Sequence, residues 1–271
     1  MNTLSKIENF PFNRKTETRR LTKRSTDFTN IFYNNTIKSK SLFDTIDTDI
    51  EKLKELAYIT HPSGGPTLIE FSNKEDNILN QMIIFLVKSL NELSVLKNNK
   101  IAVLTPYIET LTNLQQNLKS KTISRKYLIE SVDRVQGLDV DYCFFVIPKS
   151  SSFSFNLNRF NVATSRAKKS TFILVEKDFE RFVNLPIEVG QYLTKLRSEF
   201  AFNFNSLTGE ITKSIQGDSK VTVENEKSDQ INNLNLLKDE EEKGIESNEQ
   251  KSNVGIGIKV IKKIDLSKFE R

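Results

Sequence analysis

The sequence predicts an α/β domain with a mainly parallel sheet flanked by helices, on three observations. Short apolar segments alternate with segments of helical spacing, the signature of strand–helix–strand units. "DYCFFVIP" (141–148) and "STFILVE" (170–176) are continuous apolar runs, as strands buried on both faces require. In "NILNQMIIFLVKSLNELSVL" (77–96), Ile78, Met82, Phe85, Leu86, Leu90 and Leu93 recur at helical spacing.

Taken in order, residues 1–20 are expected to be peripheral. "LTKRSTDFTNIFYNNTI" (21–37) reads as a short helix, with Ser25-Thr26-Asp27 as a cap ahead of Phe28, Ile31 and Phe32. "SLFDTIDTDIEKLKELAYI" (41–59) reads as a further helix, "THPSGGPT" as a turn and "TLIEF" as a short strand. After the helix at 77–96 come the strand "KIAVLTPY", the helix "IETLTNLQQNLKSK" and the strand "KYLIESVD". A loop, "RVQGLDV", leads to the two apolar strands, which flank a helix in "NRFNVATSRAK". Beyond residue 200 the chain turns polar and charged, with few aromatics. That composition cannot bury enough apolar area to offset ordering entropy. Residues 201–271 are therefore expected to be a mostly disordered tail, with "GIGIKVI" as a short terminal strand. The main domain is expected at 21–200.

Composition narrows the function classes. One cysteine, Cys143, excludes an internal disulfide, and its apolar setting reads as an inert buried thiol. With one histidine, His61, no zinc cluster is available, and no metal ligands are assigned. No apolar run reaches the roughly 18 residues of a membrane span, and the start has no secretory apolar region. The expectation is a cytoplasmic protein without membrane contact. A net charge of +5 favours polyanions weakly.

The polar residues that carry chemistry lie at the predicted strand ends and in the loops beside them. Thr105 closes one strand. Ser131, Asp133, Gln136, Gly137, Asp139 and Asp141 surround a loop between strands. Asn158, Arg159, Asn161, Thr164, Ser165 and Arg166 lie on the following helix. In parallel α/β sheets ligands sit at the carboxyl ends of strands. Hydroxyl and amide donors suit phosphate and ribose oxygens without reading base sequence. Arg159 and Arg166 are seven residues apart, close to two helical turns, so both fall on roughly one face. A guanidinium fork there suits phosphate, with a solvated basic face as the alternative.

"IAVLTPY", "SVDRVQGLDVDYCFFVIP" and "NLNRFNVATSRAKKSTFILV" together resemble motifs IV, V and VI of superfamily 1 helicases, in order. The likeness is to the branch with RNA-decay, DNA-processing and nidovirus helicases. "LTKRSTDFTNIFYNNTI" is similar to that family's leucine-x-x-arginine segment followed by phenylalanine-tyrosine. The resemblance implies a second, RecA-like motor domain. It implies that Arg166 acts as an arginine finger on the ATP γ-phosphate, with Arg24 as a second catalytic γ-phosphate contact. It assigns Gln136, Gly137 and Asp139 to the nucleotide side. Thr105 and Ser131 fall to the nucleic-acid backbone. Arg159 is left to anchor its helix or to hold a phosphate.

The sequence departs from the family in ways that bear on activity. It contains no Gly-x-x-x-x-Gly-Lys-Ser/Thr, and "HPSGGPT" lacks the lysine and helix start of a P-loop. No predicted strand ends in the acidic pair that would hold Mg²⁺. Thr22 replaces the glutamine ahead of Arg24, Thr110 replaces the motif IV glutamine, and Asp139 stands where glutamate is usual. The expectation is the C-terminal half of a helicase, inactive as an ATPase alone. It would use ATP with Mg²⁺, single-stranded DNA or RNA, and a partner half carrying the P-loop. The rivals are an ATP-independent nucleic-acid-binding or adaptor module, and a truncated gene remnant.

Overall fold

A computed structural model of the 271-residue chain describes residues 16–41, 50, 52–72, 77–96, 98–121, 127–135, 137–181 and 183–214. The elements run β1 (Glu17–Thr18), α1 (Lys23–Thr29), β2 (Lys38–Ser39), α2 (Leu56–Ile59), β3 (Gly65–Phe71), α3 (Ile78–Leu93), β4 (Ile101–Thr105), α4 (Ile108–Lys121) and β5 (Tyr127–Ser131). They continue with β6 (Val140–Ile147), α5 (Leu157–Thr164), β7 (Ala167–Glu176), α6 (Ile187–Glu199), β8 (Ala201–Phe204) and β9 (Ile211–Lys213).

Seven strands form one sheet in the order β5-β4-β6-β7-β3-β8-β9. Every pair is parallel except β8 with β9. The two apolar runs are central neighbours: Phe144 of β6 stands opposite Phe172 of β7, their rings stacked at 4.9 Å. Successive side chains along a strand point to opposite faces. Phe144 and Val146 enter a core with α3 and α4, whereas Phe145 and Ile147 enter a second core with α1, α5 and α6. A fully buried Phe contributes about 1.5–3 kcal/mol. A surface ion pair contributes about 0–1 kcal/mol, so these layers dominate stability.

The helices follow the predicted faces. Met82, Phe85, Leu86, Leu90 and Leu93 of α3 are all buried against the sheet. On the opposite face α1 docks on α6 through Phe28 and Tyr192, with ring centroids 5.0 Å apart. Arg197 of α6 reaches Glu70 of β3, its Nη2 donating to Oε1 at 2.8 Å. Burial pushes the Glu70 carboxyl above its ordinary range, with Arg197 opposing.

Several sequence expectations change. The cap of α1 is Thr22, whose Oγ1 accepts from Ser25 N at 3.1 Å; Ser25, Thr26 and Asp27 lie inside the helix. Of the helix expected at 41–59, the described part is the single turn α2, and residues 42–49 and 51 lie outside the described residues. Strand β7 starts three residues before "STFILVE", and α5 ends at Thr164, so Arg166 lies past the helix end. The boundary expected at residue 200 falls inside the sheet: β8 pairs with β3 in parallel and β9 returns antiparallel on β8. Phe202 and Phe204 are buried in the α3–α4 core, which a polar composition downstream of them conceals. The expected terminal strand lies outside the described residues. No described helix is long and apolar enough to cross a membrane.

Ending the chain after Ser206 removes β9, the antiparallel partner of β8, and is expected to lower the melting temperature measurably. Ending it after Ser214 is expected to leave the midpoint within about 2 °C, equivalent to less than about 1 kcal/mol for a domain of this size. Thermal melts of the two truncated chains against the full chain check this.

Candidate functional site

The predicted site residues separate to opposite ends of the sheet. Thr105 and Ser131 end β4 and β5 and are paired in register at the carboxyl ends. Asp139 and Arg166 immediately precede β6 and β7, at the amino ends, and Val140 N donates to Arg166 O at 3.3 Å. A single cluster at the carboxyl ends, as the general rule for parallel sheets anticipates, is not what the chain builds.

At the amino ends, the Arg166 backbone leaves α5 and enters β7. Its Nε donates to Val162 O at 2.9 Å, which satisfies a carbonyl of the last helical turn. Its Nη2 reaches Ser165 Oγ at 3.4 Å. Burial, then the charge of Arg20, pulls its guanidinium below the ordinary arginine value; Asp139, Cys143 and Tyr33 oppose this. Arg20 Nη1 donates to Asp139 Oδ1 at 2.8 Å. Arg20 is thus the arginine in contact with this carboxylate, while Arg166 bonds within its own helix end. Gly137 precedes this carboxylate with a φ of +89°. No neighbour lies within 4 Å of an added Cβ there, so backbone conformation alone calls for glycine. Gln136 lies outside the described residues.

Arg24 is differently disposed. It is only 9% exposed, and its Nη1 donates to Gly64 O at 3.0 Å and Pro66 O at 2.7 Å. Its guanidinium lies 5.0 Å from the Phe28 ring centroid and 5.7 Å from that of Phe200. Burial lowers its pKa, with Glu199 and then Tyr192 opposing. The "SGGP" turn explains this socket. Gly64 has φ +67°, and a Cβ there would meet Lys169 O at 2.5 Å; a Cβ on Gly65, at φ +88°, would meet Arg24 Nη1 at 3.1 Å. Arg24, expected as a second γ-phosphate contact, ties the start of β3 to α1 in this conformation.

At the carboxyl ends, Thr105 is fully buried, and its Oγ1 has no hydrogen-bond partner among the described residues. Ser131 is 4% exposed. Tyr107 follows β4, its hydroxyl bonded to those of Ser151 and Ser154, and its ring stacks on Phe153 at 5.5 Å. The Arg159 guanidinium sits 3.9 Å from the Phe153 centroid, and its Nε donates to both oxygens of Asp133, at 3.0 and 3.2 Å. Asn156 caps α5 by accepting from Asn158 N and Arg159 N. Arg159 therefore ties the start of α5 to the turn after Ser131.

Sequence reasoning passed over Arg20, Tyr107 and Phe153. Arg20 is one of several cations in "NRKTETRRLTKR", and nothing in that run distinguishes it. Cys143 is fully buried, its thiol pushed up to about 12 by burial, in keeping with an inert role. Among the described residues no group of His, Cys, Asp and Glu could hold a metal ion. A polar hollow of about 560 Å³ is lined by Lys23, Asp27, Asn30 and Lys38 among others, and includes none of the arginines above.

Replacing Arg24 strands the Gly64 and Pro66 carbonyls and empties the space beside two rings. Arg24→Ala is expected to cost about 2–4 kcal/mol of stability, the scale for breaking a buried hydrogen-bonded charge. Urea denaturation of the variant checks this, and a loss under about 0.5 kcal/mol, ordinary for a surface side chain, would return Arg24 to the class of free cations.

A profile of the AAA domain family matches residues 19–178. The replicase polyprotein 1ab of Alphamesonivirus 1 (isolate Aedes harrisoni/Cote d'Ivoire/C79/2004) is 28% identical over 139 residues. That match covers 51% of this chain and 3% of the polyprotein. The crystal structure of the C-terminal domain of a possible DNA helicase from Lactobacillus plantarum WCFS1 is similar at 11% identity and a TM-score of 0.35, covering 56% of this chain and 95% of that one. The family profile spans more than half of the 271 residues, and the chain belongs to the AAA domain family, as a helicase-family domain.

Proposed function

We propose that the chain is the C-terminal motor domain of a superfamily 1 helicase of the RNA-decay, DNA-processing and nidovirus-like branch. It would act on ATP only together with a P-loop-containing half. The observation that carries this reading is the two-ended site. The loop between β5 and β6 starts beside Ser131 and ends at Asp139, and α5 starts beside Arg159 and ends before Arg166. One loop and one eight-residue helix thus join the two ends of the sheet. These packed, hydrogen-bonded elements are where a displacement at one end would reach the other.

The donor set fits half of an ATP site. Arg166 and Asp139 supply cation and carboxylate at the amino ends, and Arg166 would hold a terminal phosphate. Magnesium would have to be held by the partner half, since no described cluster here suits it. ATP would supply the phosphoryl group; this chain's part is to offset charge on its oxygens. At the carboxyl ends Arg159 would contact a single strand through phosphate and sugar, without base specificity, and Thr105 and Ser131, buried in this conformation, would join it only once uncovered. The buried Arg24 favours a second reading, an ATP-independent nucleic-acid-binding module, because one of the two implied γ-phosphate arginines is engaged internally.

The chain alone is expected to show no ATP hydrolysis above background. Joined to a P-loop half, Arg166→Ala is expected to lower turnover by about 10³-fold or more, the range for arginine fingers. Phosphate release from the reconstituted complex decides between the readings: wild-type turnover in a folded Arg166→Ala complex removes Arg166 from the reaction. Fluorescence anisotropy with a labelled oligonucleotide is expected to show binding that weakens steeply with salt. Arg159→Ala is expected to weaken that binding by about tenfold, the loss of one charged contact of about 1.4 kcal/mol.

A further inference from the structure

Resting on the nucleic-acid-binding role of the carboxyl ends, we propose that Phe153 is the base-contacting residue of this domain. Its ring takes one nucleobase of a single strand in a stacked contact, beside the phosphate that Arg159 meets. Phe153 is the one exposed aromatic among the described residues, at 43%. Phe155 and Phe160, its nearest aromatic neighbours along the chain, are fully buried. The same short segment thus encloses two rings and presents a third, which forgoes the gain that burial of an apolar surface brings.

The ring is exposed yet held. Tyr107 stacks on it at 5.5 Å with 29° between the ring planes, and the Arg159 guanidinium lies 3.9 Å from its centroid. The turn that carries it is pinned on both sides. The Tyr107 hydroxyl bonds to those of Ser151 and Ser154, Ser154 Oγ donates to Lys149 O at 2.8 Å, and Phe155 stacks on Phe179 at 5.0 Å. Tyr107 lies just past Thr105, and Asp133, which holds Arg159, lies just past Ser131. The ring therefore stands at the carboxyl ends of β4 and β5. An apolar ring beside a guanidinium matches the two parts of a nucleotide: the face of a base covers the ring, and the phosphate meets the cation. Both bonds to Asp133 are made by Nε, so the terminal nitrogens of Arg159 are the ones to turn to that phosphate. Every base has such a face, so the contact tolerates any sequence. Ordering the ring in advance lowers the entropy lost on binding.

The test uses the full chain, a labelled oligothymidylate and an abasic strand of the same length and charge, read by fluorescence anisotropy across a salt series. Phe153→Ala is expected to weaken binding to the base-bearing strand by about tenfold or more, the scale of one base stacked on an aromatic ring. Its binding to the abasic strand is expected to stay within about twofold of wild type, as for an ordinary surface change. Its salt dependence is expected to match wild type, because a neutral ring displaces no counterions, whereas Arg159→Ala flattens that dependence. The chain contains no tryptophan, so Phe153→Trp supplies a single indole. That variant is expected to keep its affinity and to lose fluorescence on the base-bearing strand but not on the abasic one. Val95→Ala, an exposed apolar residue between α3 and β4, is expected to leave affinity within about twofold. If Phe153→Ala weakens binding to both strands alike, the ring only seats Arg159 and the assignment is overturned. If Phe153→Ala matches wild type on both, the assignment is overturned and the nucleic-acid-binding reading stands. If wild type binds neither strand, both are overturned. Melts of each variant, expected within a few degrees of wild type, exclude misfolding as the cause.

Discussion

Burial of β6 and β7 on both faces is the constraint on which the rest of the structure depends. Phe144, Phe145, Phe172 and Ile173 lie inside, alternating between two cores, so the sheet must be covered by helices on both sides. Parallel strands permit that covering only through crossover connections, which carry the chain from the end of one strand to the start of the next. No charged residue occupies positions 142–147 or 170–175, and the candidate site residues collect at the two ends of the sheet. The separation of Thr105 and Ser131 from Asp139 and Arg166 therefore follows from the packing of the apolar layers.

Arg24 and Arg166 illustrate how one residue type divides into two roles. The socket of Arg24 combines two glycines with positive φ, two carbonyls and the Phe200 ring from other segments with Phe28 of its own helix. Removing a guanidinium from water is costly, and these partners offset part of that cost, while Nη2 has no hydrogen bond among the described residues and lies 3.7 Å from Glu199 Oε2. Arg166 satisfies a helix-terminal carbonyl with Nε, reaches Ser165 Oγ with Nη2 and is half-buried, within the influence of Asp139 and Arg20. Its placement joins a structural duty to an electrostatic one: the helix end sets where the charge stands.

The carboxyl end is organised by stacking rather than by burial of charge. Arg159 lies over Phe153, which stacks on Tyr107, and Asp133 holds the same guanidinium in line. A stacked, paired arginine loses little further side-chain freedom when it meets a phosphate, because its rotamer is already set. The unpartnered hydroxyl of Thr105 sits at the same end of the sheet. A buried polar atom without a partner costs stability, and Thr105, fully buried at the end of β4, carries that cost.

The sequence by itself determined the α/β class, the central strands, the long amphipathic helices α3 and α4 and the helicase-like segments, because each rests on periodicity or on a contiguous motif. It did not disclose β8 and β9, whose pairing partners lie far along the chain, or the Arg24 socket, assembled from α1, the "SGGP" turn and Phe200. Only the tertiary structure decided which guanidiniums are enclosed and which are presented, because burial and charge pairing depend on groups brought together from distant parts of the chain.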